Sequence, residues 1–125
     1  MAGIAAVAAS LALLAPIALA QRNLSFLRDS PVSKFNDEDF RLLRAAAAQV
    51  LDGGLENVSQ GWKNPKSGNW GSVQVLRVFN ATDGRDCRML RVDNHSKTLS
   101  STSDMSVCRH PQRGWLLDAE ARPPD

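Results

Sequence analysis

Two cysteines, Cys87 and Cys108, have the greatest capacity for covalent chemistry in this sequence of 125 residues. Three uses are open to them: a disulfide bond, a metal site completed by His110 or His95, and a catalytic thiol paired with a histidine. A metal site is weakly indicated because only two cysteines occur and they form no Cys-x-x-Cys pair. A catalytic thiol is weakly indicated because a disulfide would remove the thiolate. We therefore expect a disulfide, and no metal or cofactor.

Aspartate side chains are the second candidate for chemistry, because two neighbouring carboxyl groups can act as general acid and general base. These aspartates lie on predicted turns and strand edges, where acidic side chains are usually solvated. We therefore predict that the protein is not an enzyme. The aspartates concerned are Asp83, Asp86, Asp93 and Asp104.

Tryptophan and arginine side chains offer a third chemistry, which is noncovalent recognition. Exposed aromatic side chains beside cations are common anchors of binding interfaces. For Trp62 and Trp115, the alternative is a place in a small hydrophobic core. Trp70 lies on a predicted turn and is the tryptophan most expected to be exposed. The candidate binding surface consists of Trp62, Asn64, Trp70, Arg85, Arg88, Arg109 and Trp115.

Basic residues in the second half of the chain offer a stripe that would meet anionic lipid or glycan. Acidic residues are interspersed among them, so a solvated surface of mixed charge is the simpler interpretation. A formal net charge of +2 is too weak to indicate a nucleic acid partner. The members of the stripe would be Arg85, Arg88, Arg91, Lys97, Arg109 and Arg113.

Residues 1–20 have the composition of an export segment. They carry no charged side chain and end in Ala18-Leu19-Ala20, which fits the small-x-small pattern of signal peptidase sites. The run is at the short end for crossing a bilayer, and no lysine or arginine precedes it. We expect a signal peptide or, if it is uncleaved, an N-terminal membrane anchor; a buried hydrophobic helix is the weaker alternative. Residues 21–35 are expected to form a linker.

One helix is predicted from Asn36 to Leu51. Asn36 or Asp37 can cap its N-terminus, and an acidic first turn suits the positive end of the helix dipole. Gly53-Gly54 ends the helix. Apolar residues at helical spacing form one face, which we expect to pack on the protein's own sheet; a partner helix is the alternative. That face consists of Phe40, Leu43, Ala47, Val50 and Leu51.

Strands are predicted in the chain that follows. The alternation of the first strand slips between Val75 and Leu76, which predicts a β-bulge or burial on both faces. Thr82-Asp83-Gly84-Arg85 is typical of a tight hairpin turn, because glycine permits the positive φ that such a turn requires. The predicted strands span about residues 72–81, 86–93, 98–109 and 115–121.

These elements predict an α+β fold, in which one N-terminal helix packs on a small antiparallel β-meander of about four strands with one disulfide. The domain would span residues 36–121, followed by a tail at residues 122–125. Cys87 and Cys108 fall on predicted strands separated by one turn, so their side chains can meet if the strands are neighbours. The bond would stabilise the fold by roughly 3 kcal/mol in the chain-entropy model.

The turns and cysteines form a series of short motifs. They are Trp62-x-Asn64-Pro65-x-Ser67-Gly68-Asn69-x-Gly71, Asp83-Gly84-Arg85-x-Cys87-Arg88, Cys108-Arg109 and Gly114-Trp115. Their order resembles the C-terminal domain of the bacterial 17 kDa surface antigen family, over about residues 36–117. The resemblance implies an exported, non-enzymatic protein of the Gram-negative envelope. Members are often lipoproteins with a glycine-zipper segment, and this sequence has neither the lipidated cysteine nor that segment.

We therefore predict an exported, non-catalytic cell-envelope protein, a surface antigen-like binding or structural module in the periplasm or cell envelope. Its expected partner is an envelope protein or membrane complex, with anionic lipid or glycan as further options and no nucleic acid. The alternative function is an accessory subunit of a membrane protein complex. In that case residues 1–20 would anchor the protein, and its domain would lie on the periplasmic face.

Overall fold

The computed structural model describes residues 30–125. The predicted signal peptide or anchor, residues 1–20, lies outside the described residues, as do residues 21–29 of the predicted linker. Within the described range, no helix is long and apolar enough to cross a membrane.

The described chain opens with a short 3-10 helix, Pro31–Lys34, in which Pro31 is buried. Phe35 then packs edge-on against two aromatic rings. Its ring centroid lies 5.7 Å from that of Phe40 and 5.2 Å from that of Trp62. These contacts join the start of the described chain to the helix and to the sheet.

Helix α1, Asp37–Asp52, begins and ends close to the predicted positions. Asn36 is its N-cap: the Asn36 side chain accepts a hydrogen bond from Asp39 N, and the Asp39 carboxylate accepts one from Asn36 N, both at 2.9 Å. Gly53 follows the helix, and Gly54 adopts a positive φ of 67°. The helix packs on the protein's own sheet, as expected.

Most of the predicted apolar face of α1 packs on the core, since Val50 and Leu51 are buried and Leu43 and Ala47 pack against it. Asp39 and Ala46, which were not predicted, also lie on the inner face, at 0% and 3% exposure. The prediction assumed an apolar inner face and therefore missed Asp39, whose polar partners are distant in sequence.

Five antiparallel strands form one sheet in the order β1-β2-β3-β4-β5, so the predicted meander is confirmed with one strand more than expected. The additional strand is β1, in which Trp62 beside Gly61 gives no apolar alternation for a prediction to detect. The last strand ends at Leu117 rather than at Ala121, because Asp118 begins a turn there. The strands are β1 Ser59–Lys63, β2 Trp70–Asn80, β3 Asp86–His95, β4 Ser100–His110 and β5 Gly114–Leu117.

Two predicted local features set the register of the long strands. The pairing of β2 with β3 shifts between Val75 and Arg77, which is the expected bulge. Gly84 has a φ of 91° in the hairpin turn, as the tight connection requires. The resulting register places Trp70, at the start of β2, opposite His95, at the end of β3.

The sheet buries side chains on both faces. Cys87 and Leu90 are three positions apart on β3, so they point to opposite faces. The core on the helix side contains Ala46, Val50, Leu51, Trp62, Val73, Val75, Leu90 and Val92. The smaller cluster on the other face contains Phe79, Cys87, Cys108 and Ala121.

Cys87 and Cys108 are directly opposite each other on β3 and β4, with their Cα atoms 4.1 Å apart, and they form the predicted disulfide. The chain turns back over this bond after β5. Asp118 Oδ1 accepts hydrogen bonds from the backbone N–H groups of the turn, including that of Ala121. Ala121 is buried against the disulfide cluster. The bond is therefore a buried structural element.

Removing the disulfide should lower the free energy of unfolding by roughly 3 kcal/mol, because Cys87 and Cys108 are 21 residues apart and the bond restricts the unfolded chain. Urea denaturation of the Cys87→Ala/Cys108→Ala variant, followed by tryptophan fluorescence, measures this change. Reduced wild-type protein is the control, since it loses the bond without losing the sulfur atoms. A wild-type protein that unfolds at the same urea concentration with and without reductant would contradict the prediction.

Candidate functional site

The structure divides the predicted binding residues among three places. Trp62 and Asn64 are buried, at 7% and 3% exposure. Trp70 is exposed where β2 begins. The remaining residues lie toward the other end of the sheet, and β2 is 11 residues long, so its ends are about 33 Å apart. The predicted residues are therefore not brought together in one surface. The residues toward the far end are Arg85, Arg88, Arg109 and Trp115.

Residues 64–69 form a closed turn between β1 and β2. Asn64 N donates to Asn69 O at 2.9 Å, and Gly68 N donates to Asn64 O at 2.8 Å. The Asn64 side chain accepts from Lys66 N at 3.1 Å, and Gly68 has a φ of 78°. Asn64, selected from the sequence as a binding residue, is therefore a structural residue of this turn.

The buried carboxylate of Asp39 ties this turn to the start of α1. Its Oδ1 accepts from Asn64 Nδ2 at 2.8 Å and from Ser67 Oγ at 2.7 Å. Its Oδ2 accepts from Asn69 Nδ2 at 2.8 Å and from Asn36 N at 2.9 Å. All four donors are neutral, so the carboxylate is stabilised by hydrogen bonds and not by an ion pair. We call Asn36, Asp39, Asn64, Ser67 and Asn69 the Asp39 cluster.

Burial raises the pKa of Asp39, but the hydrogen bonds from Asn36, Ser67, Asn69 and Asn64 outweigh it and leave the pKa below its ordinary value. The carboxylate is therefore ionised near neutral pH and has no proton to give. Sequence reasoning assigned Asp39 only to the helix dipole and did not select Ser67 or Asn69. The available signal was the Asn36-x-x-Asp39 capping pair together with a turn rich in side-chain donors.

Gly71 allows the Trp62 indole to lie directly against the sheet. The two residues are cross-strand partners on β1 and β2. A Cβ atom on Gly71 would lie 2.3 Å from the Asp93 carbonyl oxygen and 2.8 Å from Trp62 Nε1. Trp62 Nε1 is buried without a hydrogen-bond partner among residues 30–125. Trp62 therefore contributes apolar area and shape to the core, and its polar atom is not offered to a ligand.

Trp70 is the exposed aromatic side chain of this end, with 47% of its surface accessible. Its ring stacks on the imidazole of His95, with centroids 3.8 Å apart and planes 8° from parallel. His95 Nδ1 is in turn 2.9 Å from Ser100 Oγ. An open groove of about 750 Å³ lies beside Trp70 and is also lined by Lys63 and Ser72. This end thus presents the oriented Trp70 indole next to the Lys63 ammonium group, which forms no salt bridge within the described part of the chain.

At the far end, the Trp115 ring lies between two guanidinium groups. The Cζ atoms of Arg88 and Arg109 are 4.9 and 4.8 Å from its centroid, within range for cation–π contact. Arg88 is buried and donates from Nη1 to Cys87 O at 2.9 Å and from Nη2 to Asp86 Oδ2 at 3.3 Å. Its guanidinium is thus held inside the fold, so of these two cations only Arg109 is exposed for a partner.

The aspartates considered for acid–base chemistry are engaged with other side chains. Both oxygens of Asp104 accept from Arg91, and this hydrogen bonding lowers the pKa of Asp104. Arg85 lowers the pKa of Asp83 in the same way. Asp86 contacts Arg88, as described above. Carboxylates with lowered pKa values remain ionised near neutral pH and are poor general acids.

Within residues 30–125, no group of three or more histidine, cysteine, aspartate or glutamate residues is placed to hold a metal ion. The disulfide also occupies the sulfur atoms of both cysteines of the chain. The described surface offers groups for noncovalent contacts, namely the exposed Trp70, the lysines near it and the exposed Arg109.

A family model described as the 17 kDa outer membrane surface antigen matches residues 49–116, which is more than half of the chain. The matched span contains the closed turn, both cysteines and the strands from β1 to the third residue of β5. It begins near the end of α1, so most of the helix lies outside the match. No curated protein and no solved structure matches the chain.

Replacing Asp39→Asn should lower the free energy of unfolding by roughly 3 kcal/mol, because the new amide would direct a donor at existing donors and remove the charge that strengthens these bonds. Chemical denaturation at neutral pH measures the loss. Asp37→Asn is the matched control, since Asp37 is exposed on the same helical turn and its replacement should cost less than about 1 kcal/mol. Equal losses in the two variants would contradict a special role for Asp39.

The same variant reveals the pH dependence of the Asp39 cluster. The pKa of Asp39 is lower in the folded protein than in the unfolded chain. Its contribution to stability is therefore complete above about pH 4 and is lost as the pH falls through the folded pKa. The difference in stability between wild type and Asp39→Asn should shrink on acidification. Denaturation curves at neutral pH and at about pH 2.5 test this, and a constant difference would oppose it.

Replacing Gly71→Ala should destabilise the fold by roughly 3 kcal/mol, because the added methyl group would overlap a backbone carbonyl and the Trp62 ring. The matched control is Gly53→Ala, since a Cβ on Gly53 would lie 3.9 Å from its nearest neighbour and its φ of −75° suits alanine. That variant should change stability by no more than about 0.5 kcal/mol. Thermal unfolding followed by circular dichroism compares the two variants. A Gly71→Ala protein as stable as wild type would disprove the close approach of the Trp62 ring to Gly71.

Proposed function

The chain belongs to the 17 kDa outer membrane surface antigen family, and from this premise we propose that it is an exported, non-catalytic binding or structural module of the cell envelope. The observation that carries the proposal is that the buried carboxylate and the two cysteines are engaged in holding the fold together. Asp39, the most buried carboxylate among residues 30–125, is saturated by four donors. The sulfur atoms of both cysteines are joined in a disulfide. The domain is thus organised to keep its shape and to present a surface.

The disulfide supports export, because such bonds form and persist in oxidising compartments such as the periplasm. Residues 1–20 supply the sequence that an export signal requires. The surface offered by the module is the end that carries Trp70. Its partner is an envelope component rather than a small-molecule substrate, because the groove beside Trp70 is open and its polar contacts are few.

A second candidate function is an accessory subunit of a membrane complex, anchored by residues 1–20 with the domain on the periplasmic face. This second function is favoured by the position of the 3-10 helix through which the chain enters the domain. Asn69 Nδ2 donates to Lys34 O at 3.2 Å, so the 3-10 helix Pro31–Lys34 lies beside the Trp70 end. An uncleaved N-terminal segment would therefore bring that end toward the membrane.

Export predicts that protein taken from cells is found in the envelope fraction with Cys87 and Cys108 oxidised. Thiol-reactive labelling of the denatured protein, before and after reduction, measures the redox state, and mass spectrometry of the intact protein gives the mature N-terminus. A start at Gln21 supports the free module, and an intact segment supports the anchored subunit. A variant lacking residues 2–20 is the control and should stay in the cytoplasm with reduced thiols. Labelling of both cysteines in the cell-derived protein, denatured but not reduced, would overturn the proposal of export.

A further inference from the structure

We infer that the end of the domain formed by Trp70 and the lysines around the closed turn docks on the surface of an anionic lipid bilayer. We call it the lysine end. The inference deepens the proposed function, on which it rests, by naming the envelope component that this surface meets. The residues of the lysine end are Lys34, Lys63, Lys66, Trp70 and Lys97.

All four lysines of the chain surround the closed turn of residues 64–69. Lys63 precedes the turn and Lys66 lies within it. The Lys97 side chain reaches the turn from the β3–β4 connection, since a Cβ on Gly68 would lie 3.0 Å from Lys97 Cε. Lys34 and Lys97 line one small pocket, together with Ser67 and other polar residues. The lysines thus form one cationic patch rather than a scattered set.

The charge of this patch is not cancelled by neighbouring acids. Within residues 30–125, none of the four lysines forms a salt bridge. The acids near this end are those of the first turn of α1 and Asp93. Glu38 pairs with Arg41 at 2.5 Å, and Asp39 is buried in its own hydrogen bonds. Asp93 lies opposite Ser72 and accepts hydrogen bonds from Thr102 Oγ1 and Ser72 Oγ. Among the described residues, Asp37 and Asp93 are the two acids of this end without a salt bridge, against four lysines, so the lysine end is net positive.

The type of cation and the exposed aromatic side chain favour a lipid surface. Lysine is a compact, hydrated charge on a flexible stem, which suits mobile headgroups, whereas arginine suits fixed bidentate partners. Several arginines of this protein do form such fixed pairs, as Arg91 does with Asp104. Tryptophan is enriched at membrane–water interfaces, and the stack on His95 fixes the orientation of Trp70 at the edge of the lysine patch.

The place where the chain enters the domain is consistent with a lysine end that faces the membrane. Nine residues separate the apolar residues 1–20 from Ser30, so even a fully extended connection spans no more than about 32 Å. The 3-10 helix that follows contains Lys34 and lies beside Asn69. If residues 1–20 are in a membrane, the connection therefore enters the domain at the lysine end and holds that end within about 32 Å of them.

Vesicle binding tests the inference directly, with protein purified from whole cells in the form that they produce. The vesicles contain phosphatidylcholine alone or with about 30% phosphatidylglycerol, and part of the lipid is brominated to quench tryptophan at the interface. The Trp70 signal is the difference between wild type and Trp70→Phe. We expect quenching of this signal only with anionic vesicles, and we expect added salt to abolish it, because the contacts are electrostatic.

The variant Lys63→Glu/Lys66→Glu/Lys97→Glu should weaken binding by at least about 100-fold, since each lysine near an anionic surface contributes about fivefold. The matched control is Arg44→Glu/Arg113→Glu/Arg122→Glu, which makes the same change in net charge at exposed positions away from the turn. It should retain at least about a tenth of wild-type affinity, because long-range attraction is screened. Circular dichroism of each variant establishes that it is folded.

Equal losses in the two triple variants would overturn the inference, because binding would then follow net charge alone. Quenching of Trp70 by neutral vesicles, or binding to a soluble anionic polysaccharide without binding to vesicles, would overturn it as well. None of these outcomes depends on where the protein is found in cells. Failure of the lysine end and failure of the export proposal are therefore distinguished.

Discussion

The buried carboxylate of Asp39 is the interaction on which the arrangement of this domain depends. A charged group at 0% exposure is strongly unfavourable unless polar groups replace the water that it has lost. Here the replacements come from the helix cap and from the turn between β1 and β2, so one side chain fixes two parts of the chain relative to each other. The first turn of α1 and the closed turn must both be in place before the charge is satisfied. This requirement fixes where the helix crosses the sheet, which apolar packing alone would leave free to slide.

The turn motif in the sequence, Trp62-x-Asn64-Pro65-x-Ser67-Gly68-Asn69-x-Gly71, is largely a description of this arrangement. Asn64, Ser67 and Asn69 supply donors to Asp39, Gly68 supplies the positive φ, and Gly71 makes room for the Trp62 ring. The motif lies inside the span that matches the family. Its three variable positions are occupied by Lys63, Lys66 and Trp70, which the arrangement leaves exposed.

Much of the fold could be read from local sequence, because its causes are local. The cap at Asn36, the glycines after α1 and the Asp83-Gly84 turn each act over a few residues and were predicted correctly. Strand β1 escaped prediction because its pairing with β2, and not its own composition, makes it a strand. The inward position of Asp39 escaped for a similar reason: its partners are 25 to 30 residues away. The predicted binding surface was divided because short motifs give no measure of the length of β2, which separates them.

The covering of the disulfide by the turn after β5 has a consequence for the chemical lifetime of that bond. Ala121 and the turn that begins at Asp118 lie over Cys87 and Cys108, and β5 holds that turn in place. A peptidase that trimmed the chain back to Leu117 would uncover the cysteine sulfur atoms to small reductants and to exchange with other thiols. This turn therefore shields a covalent bond against exchange, although it contributes only Ala121 to the core.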